Sequence, residues 1–348
     1  MLHSTGIGTY LRALLPRVVA RLPAARFCVL GDPSALAAAG VSASERVSLR
    51  EFRAGIYSPS EQPGLLFKTP RATRVFWAPH VNAPLAGPGR LLVTIHDVFY
   101  IDPPEGARAR WDKDLYLAAM VRGLRRRAEG VLCVSAFTRD EVLAKVGAFR
   151  CPLHVVPNGI DPAWFSPPAG PSPEPRPYLL YVGNLKPHKN LPRTLAAFAA
   201  IAERVPHDFV LIGPGNAEAL RRDIAPRVAS RVRFLGLLDE ASVKRYVAHA
   251  AGLVLASLYE GFGLPPLEAM ALGVPALVAR AASLPEVCAD AALYCDPTSV
   301  PDIASGLFRL LSDEVERSRL RERGFVRARE LDWDSAADKA SGVLRALL

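Results

Sequence analysis

The chain has 348 residues, 50% of them hydrophobic and 22% charged, with a formal net charge of +9. That length suits two domains better than one core, and the composition is that of an ordinary globular protein. Five cysteines (Cys28, Cys133, Cys151, Cys288, Cys295) form no C-x-x-C pair and no metal-ligand spacing, so they are expected to be reduced and buried, which fits the cytoplasm. No apolar run reaches a membrane span, the best one (Ala269 to Ala279) being broken by Gly273 and Pro275, and no signal peptide is expected.

Short β-like runs alternate with helix-like runs, which predicts an α/β protein with parallel sheets. In the first half strands are predicted at Phe27–Leu30, Val47–Phe52, Val75–Ala78, Leu91–Ile95, Val131–Val134 and Leu153–Val156, with helices at Thr9–Arg21, Ala107–Ala128 and Thr138–Val146. A segment with six prolines in eleven positions, Pro167 to Pro177, then reads as a linker. Beyond it strands are predicted at Tyr178–Val182, Phe209–Ile212, Val232–Phe234, Leu253–Ala256 and Ala276–Val278. Helices are predicted near Leu191–Glu203, Ala217–Val228, Ser242–Ala250, Leu264–Leu272 and Val300–Leu311, and again from Trp333 to Leu348 after a charged helix. Doubly wound sheets bind ligands at the carboxyl ends of their strands.

The densest chemistry lies at 257–275, Ser-Leu-Tyr-Glu-Gly-Phe-Gly-Leu-Pro-Pro-Leu-Glu-Ala-Met-Ala-Leu-Gly-Val-Pro. A buried strand leads through Gly261, Phe262 and Gly263 into a helix, with Glu260 and Glu268 on either side of its start. A helix N-terminus offers unpaired N–H groups to a diphosphate. Carboxylates accept hydrogen bonds from sugar or ribose hydroxyls. A nucleotide sugar is therefore the expected ligand. The plainer alternative is a helix-dipole glutamate and an ordinary glycine turn.

This Glu-x7-Glu string with Gly-Phe-Gly inside it resembles the retaining glycosyltransferases of family 4. The resemblance implies the GT-B architecture, two Rossmann-like doubly wound domains facing a central cleft. The expected domains are an acceptor domain at 1–166, a nucleotide-sugar donor domain at 167–332, and a terminal helix at 333–348 that packs back on the first domain. The chain opens Met1-Leu-His-Ser-Thr-Gly-Ile-Gly-Thr-Tyr10 and goes directly into a helix, whereas family members carry a first β-strand upstream. A missing first strand is therefore expected.

The resemblance also assigns roles. Val182-Gly-Asn-Leu-Lys-Pro-His-Lys189-Asn-Leu is similar to the family's phosphate-binding turn, so Gly183, Lys186 and Lys189 are expected at the diphosphate together with Gly8 and the Gly261–Leu264 backbone. A cation there stabilises the leaving group most in the transition state. Glu260 is expected on the donor sugar's hydroxyls and Glu268 on the ribose. His96, at the end of Leu91-Leu-Val-Thr-Ile-His96-Asp97, is expected to touch the donor sugar or its phosphate, with His80 a weaker candidate. Gly213-Pro-Gly215 is expected near the base. The turn Val156-Pro-Asn-Gly159-Ile-Asp161 reads as structural, with Asn-Gly permitting a positive φ. Ser135 and Ser283 read as a cleft serine or helix cap and as a cap respectively.

The function expected is a retaining, metal-independent hexosyl transfer without a cofactor, the donor being a nucleotide-diphosphate sugar, with a lean to GDP-mannose. The acceptor is a saccharide or a lipid-linked acceptor of bacterial surface polysaccharide assembly, met by loops such as Gly55–Phe67 and Phe99–Trp111. Arg122, Arg125, Arg126 and Arg127 suit a peripheral association with the inner membrane face or a plain solvated helix, and no motif supports nucleic acid. The rival readings are a nucleotide-sugar epimerase or phosphorylase on the same architecture and a non-catalytic nucleotide-sugar-binding protein. A dehydrogenase needs a third glycine and a preceding strand that Gly6-x-Gly8 lacks.

Overall fold

The computed structural model describes residues 5–55, 58, 60–102, 111–222 and 224–348. Residues 1–4, parts of both expected acceptor loops (56, 57, 59 and 103–110) and residues 107–110 of an expected helix lie outside the described residues. The described chain divides into two compact units, one of residues 5–102, 111–159 and 332–348 and one of residues 160–331.

The first unit runs α1 (Thr5–Arg21), β1 (Phe27–Gly31), α2 (Pro33–Ala38), β2 (Val47–Glu51), α3 (Glu61–Lys68), β3 (Val75–Ala78), β4 (Arg90–Ile95), α4 (Trp111–Arg127), β5 (Ala128–Cys133), α5 (Ala136–Val146) and β6 (Leu153–Val155). Strands β3-β4-β5-β6 form one parallel sheet in that order, and β1-β2 form a separate parallel pair. Strand β4 is apolar without alternation because both its faces are covered, and Leu91, Val93 and Ile95 are fully buried with Val131 and Cys133 of β5.

The second unit runs β7 (Tyr178–Val182), α6 (Leu191–Ile201), β8 (Asp208–Ile212), α7 (Ala217–Arg221), β9 (Val232–Gly236), α8 (Glu240–Ala248), β10 (Gly252–Leu255), α9 (Leu264–Ala271), β11 (Ala276–Ala279), α10 (Leu284–Cys288), β12 (Leu293–Cys295), α11 (Val300–Ser312) and α12 (Glu314–Glu330). Its six parallel strands are ordered β12-β11-β10-β7-β8-β9. Winding reverses between β7 and β10, so the loops leaving those two strands diverge to opposite sides and open a crevice, the switch point of a doubly wound sheet. The chain then closes with α13 (Trp333–Leu347), which belongs to the first unit. There Trp333 lies edge-on to Tyr10, with centroids 6.0 Å apart, and Arg21 donates to Asp334 at 2.7 Å and to Asp338 at 2.6 Å.

Some expectations shift. The helix expected over Ala217–Val228 stops at Arg221, and a 3-10 turn covers Pro226–Arg231. Pro226 holds Ala225 extended, at ψ 129, because a residue before proline is driven out of the helical region. The short elements α2, α3, α10 and β12 were not expected; none is longer than eight residues, too few turns for a periodic signal. The proline-rich segment Pro167 to Pro177 lies inside the second unit, where Glu174 is buried and accepts from Tyr246 at 3.0 Å and from Arg233.

Candidate active site

The crevice at the switch point of the second unit brings the two strongest candidates together. Lys189 ends a 3-10 turn (Pro187–Lys189) after β7, and Glu260 lies in the loop after β10. The Lys189 ammonium donates to both carboxylate oxygens of Glu260, at 2.7 and 2.8 Å, and the two side chains are only 13% and 11% exposed. Ser257 Oγ donates to the same carboxylate at 2.8 Å. An ammonium has three donors and a carboxylate about four acceptor sites, so each member keeps capacity for a further polar group.

The loops are locked in place by contacts that the sequence did not reveal. Asn190, left-handed at φ 60, donates from its buried amide to the carbonyls of Ala256 at 2.9 Å and Pro297 at 2.7 Å. The His188 carbonyl accepts from Leu258 N–H at 2.8 Å. Ser283, expected as a cap, makes no side-chain cap on α10; its hydroxyl reaches the carbonyls of Glu260 and Phe262, both at 2.9 Å, and pins the Gly261–Gly263 loop. An Asn able to adopt the left-handed region just before a helix was the one available signal.

Gly263 precedes α9 at φ 98, and a Cβ there would meet Leu284 at 2.7 Å. Phe262 is buried and Leu264 opens the helix. Pro265 and Pro266 have no N–H, so the start of α9 presents the amides of Gly263 and Leu264 to a ligand. Glu268 follows one turn later on α9, and burial pushes its carboxyl up to about 8, with Glu240 adding to the shift. It is thus protonated at neutral pH until a hydroxyl-rich ligand or a cation favours the carboxylate.

The glycine turns after β7 and β8 are required by close approach. A Cβ on Gly213, which sits at φ 141, would lie 1.9 Å from the Gly183 carbonyl oxygen, and one on Gly215 would lie 2.5 Å from Leu185. Beside them a hollow of about 420 Å³ is lined by Leu185, Gly213, Gly215, Arg221, Phe234 and Gly236, and the Arg221 guanidinium stands 5.2 Å from the Phe234 ring centre. Lys186 is exposed at the mouth of the β7 loop. The His188 imidazole is held neutral, its pKa lowered to about 3 by burial and by Lys189 and Lys186.

In the first unit His96 follows β4 directly. Its Nε2 lies 2.9 Å from the Pro79 carbonyl, which can only accept, and the Tyr10 ring packs edge-on at 4.8 Å. Burial lowers its pKa to about 4. The neutral ring with Nε2–H donated to Pro79 leaves Nδ1 as an acceptor. Gly8 lies within α1, which starts at Thr5, and not in a loop ahead of the helix. His80 Nδ1 accepts from Asn82 N–H at 3.2 Å. Ser135 is the N-cap of α5, accepting from Thr138 N–H at 3.0 Å. Gly159 has no positive φ; it is needed because a Cβ would collide with the Asp332 backbone at 2.2 Å. Of the four α4 arginines, Arg125 is tied to the Ala148 carbonyl at 3.1 Å and Arg127 to that of Gly89 at 2.8 Å, while Arg122 and Arg126 are exposed. Among the described residues no helix is long and apolar enough to cross a membrane.

Comparison with known proteins identifies the family. The family model described as Glycosyltransferase Family 4 matches residues 5–164 and that described as Glycosyl transferases group 1 matches residues 163–327. The chain is 29% identical over 176 residues to the O-antigen chain mannosyltransferase B of Escherichia coli, covering 49% of this chain and 46% of that protein. It is 30% identical over 271 residues to the MMP alpha-(1->4)-mannosyltransferase of Mycolicibacterium hassiacum, covering 73% and 64%. The matched region thus spans about half to two thirds of these relatives' length. Among solved structures, Anabaena HepE in complex with UDP-glucose superposes with a TM-score of 0.77 at 16% identity, covering 99% of this chain and 97% of that one. WaaG, a glycosyltransferase involved in lipopolysaccharide biosynthesis, superposes with a TM-score of 0.74 at 17% identity, covering 97% and 95%. The shared fold is GT-B, and the chain belongs to the glycosyl transferases group 1, glycosyltransferase family 4.

Proposed function

We propose that this protein transfers a hexosyl group from a nucleoside-diphosphate sugar to a saccharide or lipid-linked acceptor, with mannose from GDP-mannose as the donor and retention at the anomeric carbon. The observation that carries the proposal is the buried Lys189–Glu260 pair at the β7/β10 switch point, followed on α9 by the Glu268 carboxyl, whose pKa burial raises. The matched mannosyltransferases support the choice of sugar.

In this reading the ribose hydroxyls donate to Glu268, and the base enters the hollow beside Phe234 and Gly213. The diphosphate meets the remaining N–H of Lys189 and the amide groups of Gly263 and Leu264. Glu260 keeps an acceptor site for a sugar hydroxyl while its charge is balanced by Lys189. As the glycosidic bond breaks, its electron pair passes to the leaving phosphate oxygen, where an adjacent ammonium stabilises the growing charge. The acceptor oxygen bonds to the anomeric carbon on the same face and its proton passes to that phosphate oxygen. Glu260 is committed to Lys189 and Ser257, so no free carboxylate nucleophile is required of it. No metal is needed in this scheme, because Lys189 supplies the cation.

A peripheral membrane association completes the proposal and draws on the net charge of +9 and exposed Arg122 and Arg126. The deciding experiment is a thermal shift against GDP, UDP, ADP and dTDP, followed by transfer from the matching sugar nucleotide with the product's anomeric configuration read by NMR. Stabilisation by GDP and an α-linked product are expected. Transfer with inversion, or conversion of the donor without any acceptor, would reject the reading.

A further inference from the structure

The first unit carries a buried polar pair that the proposed donor chemistry does not use. Glu61, in the first turn of α3, and Asn82, in the segment that follows β3, are only 3% and 4% exposed. The Asn82 amide nitrogen donates to both Glu61 carboxylate oxygens, at 3.2 and 3.4 Å. A carboxylate only accepts, so it holds the amide with its nitrogen inward and its oxygen turned away. That oxygen, Asn82 Oδ1, is buried and has no hydrogen-bond partner among the described residues. Buried polar atoms are rarely left in that state without a function.

The surroundings make the pair rigid. Gln62, next on α3, donates from Nε2 to the Ala83 carbonyl at 3.2 Å and accepts from Leu85 N–H at 3.4 Å. On the other side the Pro79 carbonyl lies 2.9 Å from His96 Nε2. The segment 79–85 is thereby fastened both to α3 and to the residue that follows β4. With Ala54 and Pro79, Glu61 and Asn82 line one end of a cavity, the end at the carboxyl termini of β2 and β3. That is the edge at which parallel sheets present groups to a ligand. A helix dipole alone does not account for Glu61, because it favours a first-turn carboxylate at the surface as well.

We infer that Glu61 and Asn82 bind two adjacent hydroxyl groups of the acceptor, and that the part of the acceptor seated there is a neutral sugar ring. The inference rests on the sugar-transfer reading above. A carboxylate has about four acceptor sites, more than one amide nitrogen fills, and Asn82 Oδ1 is an acceptor too. The site therefore asks for donors. One ring hydroxyl donates to the Glu61 carboxylate and its neighbour donates to Asn82 Oδ1, an arrangement already set before binding, so little ordering is required of the protein. A phosphate brings negative charge and acceptor oxygens to the same spot, and is refused.

The test uses the full chain and its Glu61→Gln and Asn82→Ala variants. Saturation-transfer NMR reads the binding of methyl α-D-mannopyranoside, methyl α-D-glucopyranoside and, as the phosphate probe, glycerol 3-phosphate. At least one hexoside should bind the wild type, and its affinity should fall about tenfold or more in Glu61→Gln. Glycerol 3-phosphate should not compete with it. On the wild type alone, ring protons beside one pair of adjacent hydroxyls should saturate most strongly, and removing either hydroxyl from the probe should abolish the signal. That arm decides the matter even where a variant does not fold. Thermal stabilisation by GDP or UDP should be equal in all three chains. Its absence from all three, with hexoside binding intact, rejects the donor reading and leaves the hexoside result to decide this one. The inference is overturned if neither hexoside binds the wild type, if both variants bind it as the wild type does, if saturation is even around the ring, or if the phosphate probe competes. Loss of nucleotide stabilisation in a variant overturns it as well, by showing that the pair is a general structural support.

Discussion

Lys189 Nζ and the Glu260 carboxylate are joined through both oxygens, at 2.7 and 2.8 Å, although 71 residues separate them in the chain. A cation intended for a departing phosphate is thereby held in position before any phosphate arrives. Removing one member of a largely buried pair strands the other, which costs about 3–5 kcal/mol. Lys189→Met is therefore expected to lower unfolding free energy in urea by about that amount and to reduce kcat by at least about a hundredfold. Lys189→Met with Glu260→Gln should recover most of the stability and none of the turnover. Additive stability losses in the double variant would show that the pair is not energetically coupled.

Glu268 links donor affinity to pH. Its carboxyl titrates at about 8 in the free protein, and ribose hydroxyls favour the ionised form, so binding releases a proton. The affinity for a nucleotide sugar is expected to weaken as pH falls below 8, by at most about tenfold per unit. Calorimetry in two buffers of different ionisation enthalpy reads the proton directly. Glu268→Gln should bind more weakly, by about 1.5–3 kcal/mol for one charge-assisted bond, and should show no proton release. A wild-type affinity that is flat from pH 6.5 to 9 would contradict the ribose role.

His96 carries a stability signature of its own. Its pKa is lowered to about 4 in the fold against an ordinary value near 6.5. A group depressed in this way contributes stability that is complete above about pH 6.5 and is lost as pH falls toward 4, because the unfolded chain takes up the proton first. Between pH 7 and 5 the loss is about 2 kcal/mol for this imidazole. Glu268, raised in the fold, acts with the opposite sign over the same range. The clean observable is the difference between wild type and His96→Asn, which should shrink by about 2 kcal/mol from pH 7 to 5 in urea titrations. A constant difference would place the imidazole in solvent.

Ser283 tests whether the Gly261–Gly263 loop must be held. Its single O–H is shared between two loop carbonyls at 2.9 Å, worth about 1 kcal/mol in all. Ser283→Ala should cost about 1–2 kcal/mol of stability and raise the KM for the donor several-fold. A lower kcat at unchanged KM would place Ser283 in the chemical step instead.

Metal dependence separates a lysine-supported leaving group from a metal-bridged one. Transfer is expected to proceed unchanged after treatment with EDTA and gel filtration, since Lys189 supplies the charge. Activity that vanishes on chelation and returns with a divalent ion would overturn that part of the proposal.

The sequence by itself determined the alternation of strands and helices, the family, and the residue types at the switch point. Apolar runs such as Tyr178–Val182 predict buried strands because both faces of a parallel sheet are covered, and Gly263 of the Gly-Phe-Gly string sits at φ 98, a backbone that only glycine adopts easily. Only the tertiary structure decided that Lys189 pairs with Glu260, that Ser283 secures the loop and does not cap a helix, and that Gly159 is required by the Asp332 backbone and not by its own φ. It likewise decided that Arg125 and Arg127 are fastened to carbonyls. These are contacts between segments far apart in the chain, and local pattern carries no information about them: periodicity reports which face a residue presents, while its partner is chosen by the winding of the sheet.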